Sequence, residues 1–202
     1  MLAIFARILA IAVSAGLLIF TAAAPARSAE IAAEIGLKVG SSIPQQLAGA
    51  QSGGALRDFD RLAGPKGLVL YFVRSVDWCP YCRAQTLSID GARKEFAARG
   101  LSVAVVSYDS PEKQNAFATD RKLHVTLISD PKSEIIDAFG LRNERHISGR
   151  FAGIPHPAAF IVRRDRTIAA KLYEKDYVTN DQSYINRPEV GAVLAAADGA
   201  LR

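Results

Sequence analysis

The 202 residues contain two cysteines, Cys79 and Cys82, set in the run Trp78-Cys79-Pro80-Tyr81-Cys82. Two thiols three positions apart support a redox reaction that neither performs alone. One attacks as a thiolate, and the other, a helical turn further on, displaces the bond that the first has formed. The run lies where a continuous apolar segment, Leu68 to Val73, gives way to a helical period over Cys82 to Ala98. At a helix N-terminus the free N–H groups and the dipole stabilise an anion, which favours Cys79 as the thiolate. Pro80 fits the first helical turn, where its missing donor costs nothing. Cys79 is therefore expected to be the exposed nucleophile and Cys82 the more buried resolving thiol.

Other uses of the pair compete with this one. A structural disulfide is natural in an exported protein, but the loop closed here is so small that little entropy is gained. A closed zinc site needs four ligands, and only two cysteines exist. Haem attachment requires a histidine after the second cysteine, where Arg83 stands. Copper delivery with His124, His146 or His156 as a third ligand stays open, although the spacing selects none of them. No metal and no cofactor is expected.

The elements that must position the thiols follow from the pattern around them. Leu68 to Val73 and Leu101 to Ser107 read as strands buried on both faces. Gly100 ends the helix between them. Ser110-Pro111-Glu112 starts a helix running to about Lys122, with a hydroxyl cap, a proline in the first turn and an acid at the positive end. Val125 to Ser129 makes a third strand. Asp130-Pro131 opens a short helix that Gly140 ends. Ala158 to Arg163 and Thr167 to Tyr173 form two strands around a tight turn at Arg164-Asp165-Arg166, and Pro188 begins a last helix running to about Asp198. The order β-α-β-α-β-α-β-β-α predicts an α/β fold: a central mixed sheet with helices on both faces and one antiparallel edge. Residues 30–66, broken by Gly40, Pro44 and Gly53-Gly54, are expected to cross the sheet as an irregular extension.

The first 29 residues read as a signal peptide: Arg7, an uncharged run from Ile8 to Ala24, and a small-residue exit between Ala24 and Ala29 where cleavage would fall. Residues 30–202 are then one domain, soluble once the leader is removed, in a secreted and periplasmic setting. A retained anchor is the alternative, since the apolar stretch approaches the ~20 residues a bilayer requires. The net charge of +5 is weak and scattered, with no aromatic-interleaved basic patch, so nucleic acid is not an expected partner.

Trp-Cys-Pro-Tyr-Cys after a buried strand resembles the active site of the thioredoxin superfamily, in its glutaredoxin version. Val39-Gly40-Ser41-Ser42-Ile43-Pro44, Leu127-Ile128-Ser129-Asp130-Pro131 and Phe139-Gly140 resemble landmarks of the alkyl-hydroperoxide-reductase and thiol-specific-antioxidant group. The similarity spans residues 38–198 and implies a thioredoxin-like fold with an inserted βα unit. It also implies a cis-proline loop facing the thiols. Gly153-Ile154-Pro155-His156-Pro157 leads into a strand as that loop does, which assigns the cis bond to His156–Pro157. Pro157 and His156 would then lie beside the pair, with Trp78, Pro80 and Tyr81 shaping a substrate-binding rim.

The resemblance leaves two activities open. Peroxiredoxins activate their cysteine with a threonine three residues earlier and an arginine on the facing loop. Those positions here are Val76 and Pro157. Without a hydroxyl and a guanidinium on the peroxide oxygens, a thiol–disulfide oxidoreductase is the leading expectation, acting on protein thiols and disulfides with a redox-recycling partner. A thiol peroxidase, with Cys79 peroxidatic and Cys82 resolving, is the alternative, and Arg74 is the residue that would reach its site. The buried acid that assists the resolving cysteine in thioredoxin is also missing, since Val73 occupies that position.

Overall fold

The computed structural model describes residues 34–44, 49–51, 56–177, 180 and 182–202. The leader assigned to residues 1–29 lies outside the described residues.

The molecule is organised around β3 (Gly67–Phe72), every residue of which is buried. Alternation sends Leu68, Leu70 and Phe72 to one face and Val69 and Tyr71 to the other, so an unbroken apolar run supplies two cores. β3 pairs in parallel with β4 (Leu101–Ser107) and antiparallel with β6 (Ala158–Arg163). β4 continues in parallel to β5 (Thr126–Ser129), and β6 turns back into β7 (Ile168–Tyr173). Gly67 permits the start of β3 because a side chain there would run into the Val162 carbonyl of β6.

The first segment departs from expectation. Residues 30–66 are not only an irregular extension: β1 (Gly49–Gln51) and β2 (Leu56–Arg57) form a short antiparallel pair docked on β5. The seven-stranded order is β2-β1-β5-β4-β3-β6-β7, antiparallel at both edges rather than one. Nearer the start, Gly40 and Ile43 donate N–H bonds to Ile168 and Arg166, lacing residues 40–43 to the beginning of β7.

Helices cover both faces. α1 (Phe59–Leu62) and α5 (Glu134–Ala138) close the Leu68 face, where Phe72, Phe139 and Phe160 meet with ring centroids 4.8 to 5.8 Å apart. α2 (Pro80–Gly91), α3 (Arg93–Ala98), α4 (Pro111–Arg121) and α6 (Val190–Ala200) close the other. The helix expected over Cys82 to Ala98 is two helices, broken at Ala92. There Asp90 turns aside to accept the N–H groups of His124 and Val125 at the entrance to β5. α6 starts two residues beyond Pro188, whose carbonyl instead accepts a bond from Gln85 of α2. Among the described residues no helix is long and apolar enough to cross a membrane.

Candidate active site

Cys79 is the N-cap of α2, in extended backbone (φ −95°, ψ 107°), with Pro80 in the first turn. Its sulfur takes the place of a capping oxygen and accepts the Cys82 N–H at 3.4 Å. The Cys82 thiol approaches the same sulfur at 2.7 Å, well beyond the ~2.05 Å of a disulfide, and both cysteines are free. Hydrogen bonding from the Cys82 thiol, then from its amide, with the charges of Arg187 and Arg74, brings the Cys79 pKa down to about 6 against the effect of burial. Burial and the bond to Cys79 drive Cys82 strongly the other way. The two shifts run in opposite directions, favouring charge on Cys79 and the proton on Cys82. The exposure expected of the nucleophile is not present: Cys79 is only 2% exposed and faces a cavity rather than open surface.

Arg187 is the residue that sequence reasoning missed. From the segment ahead of α6 its Nη2 reaches within 3.6 Å of the Cys79 sulfur, while Nη1 lies 3.5 Å from Gln85 Oε1. Gln85 Nε2 in turn holds the Pro188 carbonyl at 3.0 Å, so α2 fixes the backbone that delivers the guanidinium.

Beneath the thiols, Asp109 organises the turn between β3 and α2. Its carboxylate accepts the Ser75 hydroxyl at 2.6 Å, the Val76 N–H at 2.7 Å and the Ser107 hydroxyl at 2.7 Å. Ser75 Oγ accepts the Asp77 and Trp78 N–H groups, and the Ser75 N–H points at Cys82 Sγ from 3.4 Å. Val73 leaves the usual acid position empty, and an acid arrives from the end of the neighbouring strand. Burial raises the Asp109 pKa against the bonds it accepts.

A cavity of about 600 Å³ opens over Cys79. Trp78, Pro80, Tyr81, His156 and Pro157 all line it, so the expected rim is assembled in one place. Trp78 is fixed by its indole N–H to Tyr108 at 2.8 Å and by the Phe151 ring at 4.6 Å. Tyr81 is the exposed lip. His156 is buried, bonded to Glu144 at 2.8 Å and packed on Tyr177. The cis bond assigned to His156–Pro157 is a correction: every peptide bond is trans among the described residues. The loop is held extended by the His156 N–H on the Leu141 carbonyl at 2.7 Å and by the Arg142–Pro155 bridge, and it enters β6 without the reversal a cis bond provides. Among the described residues no group of three or more His, Cys, Asp or Glu side chains is arranged to hold a metal ion, so the copper reading gains no support from the geometry.

Residues 39–171 match the AhpC/TSA family. The chain belongs to that family. Membership sets it among thiol-based oxidoreductases of thioredoxin-like fold. Its relatives include a putative peroxiredoxin of Haemophilus influenzae, 29% identical over 114 residues (56% of this chain, 70% of the relative). The peroxiredoxin Bcp of Escherichia coli is 28% identical over 134 residues (65% of this chain, 83% of the relative). Among solved structures, peroxidoxin BcpB of Mycobacterium tuberculosis superposes with a TM-score of 0.66 at 20% identity, covering 82% of this chain and 98% of its own. Peroxiredoxin Q of Xanthomonas campestris gives 0.64 at 22%, covering 81% and 99%. This AhpC/TSA member carries Val76 three residues ahead of its cysteine and Pro157 on the facing loop.

Proposed function

We propose that the chain is a thiol-dependent peroxidase in which Cys79 is the peroxidatic cysteine and Cys82 resolves it. The observation that carries this reading is Arg187. The guanidinium absent from the facing loop is supplied from the opposite end of the domain, 3.6 Å from the thiolate sulfur. A cation there stabilises the thiolate and the negative charge that develops on the leaving oxygen. The peroxiredoxin names carried by its relatives support the same reading.

In the first step the Cys79 thiolate attacks the peroxide O–O bond, forming a sulfenic acid and releasing an alcohol or water once a proton is delivered. The Cys82 thiol then attacks the sulfenic sulfur, expelling water and leaving the Cys79–Cys82 disulfide. An external dithiol returns the pair to the reduced state and is oxidised in its place. Because Cys82 already lies against Cys79, the second step needs no unwinding of α2.

Thiol–disulfide exchange is the second reading, favoured by the intimate pairing of the thiols and by Val76 where a hydroxyl would hold a peroxide oxygen. Stopped-flow mixing of pre-reduced protein with hydrogen peroxide, followed by Trp78 fluorescence, separates the two. The peroxidase reading expects a rate orders of magnitude above that of a free cysteine of similar pKa, lost in Cys79→Ser. It also expects a sulfenic acid trappable by dimedone in Cys82→Ser. A rate no faster than an ordinary thiolate removes peroxidase action and leaves exchange. Export is a further proposal, supported by the leader pattern of residues 1–29, and N-terminal sequencing of the protein from a secreting host tests it.

A further inference from the structure

Arg74 adds to the charge acting on Cys79, yet that does not account for its burial without a paired carboxylate. It stands just beyond β3, is 6% exposed, and lines the cavity over Cys79. Its guanidinium lies 4.3 Å from the Tyr184 ring centroid and 5.2 Å from that of Trp78. Its Nε has no hydrogen-bond partner, and no carboxylate pairs with it among the described residues. A buried cation without a counter-charge is costly, and its aromatic neighbours offset only part of that cost. The Cys79 thiolate is not a sufficient partner, because its direct contact is with Arg187 and its charge disappears when the sulfur is oxidised.

The cavity is also large for hydrogen peroxide. It measures about 600 Å³, whereas a water molecule claims ~30 Å³ and hydrogen peroxide only modestly more. Trp78, Phe151, Tyr177 and Tyr184 give it aromatic walls suited to an organic group. A planar guanidinium is the group that binds a carboxylate through paired hydrogen bonds, and Arg74 lies at the wall of this cavity.

We propose that this cavity binds an organic hydroperoxide bearing a carboxylate, with Arg74 as the residue that recognises the carboxylate while Cys79 attacks the distant O–O bond. The proposal rests on the peroxidase reading and adds a specificity-determining contact, Arg74 with a carboxylate on the substrate. The step is balanced: the hydroperoxide is reduced to the corresponding alcohol, its carboxylate unchanged, as Cys79 is oxidised to the sulfenic acid with uptake of one proton. Cys82 then closes the disulfide and releases water.

The test compares cumene hydroperoxide carrying a para-carboxylate with its neutral para-carboxamide, alongside hydrogen peroxide, by stopped-flow Trp78 fluorescence on the full chain. The native protein should prefer the carboxylate by about tenfold or more, the scale of a charge-assisted bond made to one substrate only. Arg74→Met should bring the ratio near one, and Arg74→Lys should restore part of it. Because the readout is a ratio within one protein, a change in Cys79 reactivity cancels. Inhibition of the native protein by para-isopropylbenzoate but not by the matching amide gives the same answer without a variant. Rapid reduction of all three peroxides with a native ratio near one overturns the subsite and leaves the peroxidase standing. Slow reduction of all three overturns both.

Discussion

Arg187 places its Nη2 3.6 Å from the sulfur of Cys79, a residue 108 positions earlier in the chain. Arg187→Met should raise the midpoint of Cys79 alkylation by iodoacetamide from about 6 by roughly one pH unit, worth ~1.4 kcal/mol of thiolate stabilisation. Arg187→Lys should keep part of the effect. An unmoved midpoint would mean that the guanidinium does not act on the thiolate.

The depressed Cys79 pKa has a consequence for stability. A group whose folded pKa lies below its unfolded value favours the folded state above the unfolded pKa, and the contribution is lost as pH falls through the folded one. Reduced protein should therefore gain stability between about pH 6 and 9. The gain is bounded by about 4 kcal/mol at ~1.4 kcal/mol per pH unit. Urea titrations at the two ends of that window, compared with Cys79→Ser, isolate the term. Equal slopes for the two proteins would refute it.

Asp109 ties Ser75, Val76 and Ser107 together under the thiols. Removing it in Asp109→Ala strands three buried donors, and a loss of ~2–4 kcal/mol is expected from thermal or urea unfolding. Since the Ser75 N–H also faces Cys82, closure of the disulfide should slow. Quenching at successive times with a thiol-blocking reagent would reveal this. Native-like closure in a destabilised variant would assign Asp109 to the fold alone.

Phe160 packs against Phe72 and Phe139 on the face of the sheet away from α2. Phe160→Ala should cost ~3–5 kcal/mol through the cavity it leaves. The Cys79 alkylation midpoint should not move, because the thiols sit in the other core. A shifted midpoint would show that the two cores are coupled through β3.

What could be read from the residues was what local pattern encodes. The runs that became β3, β4, β5 and β6 are apolar because both sheet faces are covered, and Pro80 and Pro111 mark helix starts by their own geometry. β1 and β2, of three and two residues, are too short to show any alternation. Asp109 lay hidden for a different reason. The parallel register setting Phe72 beside Val106 brings the ends of β3 and β4 together, and only register reveals that the acid comes from the neighbouring strand. Arg187, next to a proline at the head of the last helix, resembles any polar residue before a helix start. Its role depends on Gln85 holding the adjacent carbonyl, a contact spanning 103 positions. The trans bond at Pro157 likewise reflects pairing with residues 141 and 142 rather than the loop's own letters.

The clasp between Gln85 and the Pro188 carbonyl also sets an order of events. A chain made from its N-terminus carries Cys79 and Cys82 long before Arg187 exists, and folding of the early segments can begin without it. Until that clasp closes, Cys79 lacks one of the charges that hold it as a thiolate. The surroundings that lower the Cys79 pKa are therefore complete only when the last segment of the domain docks.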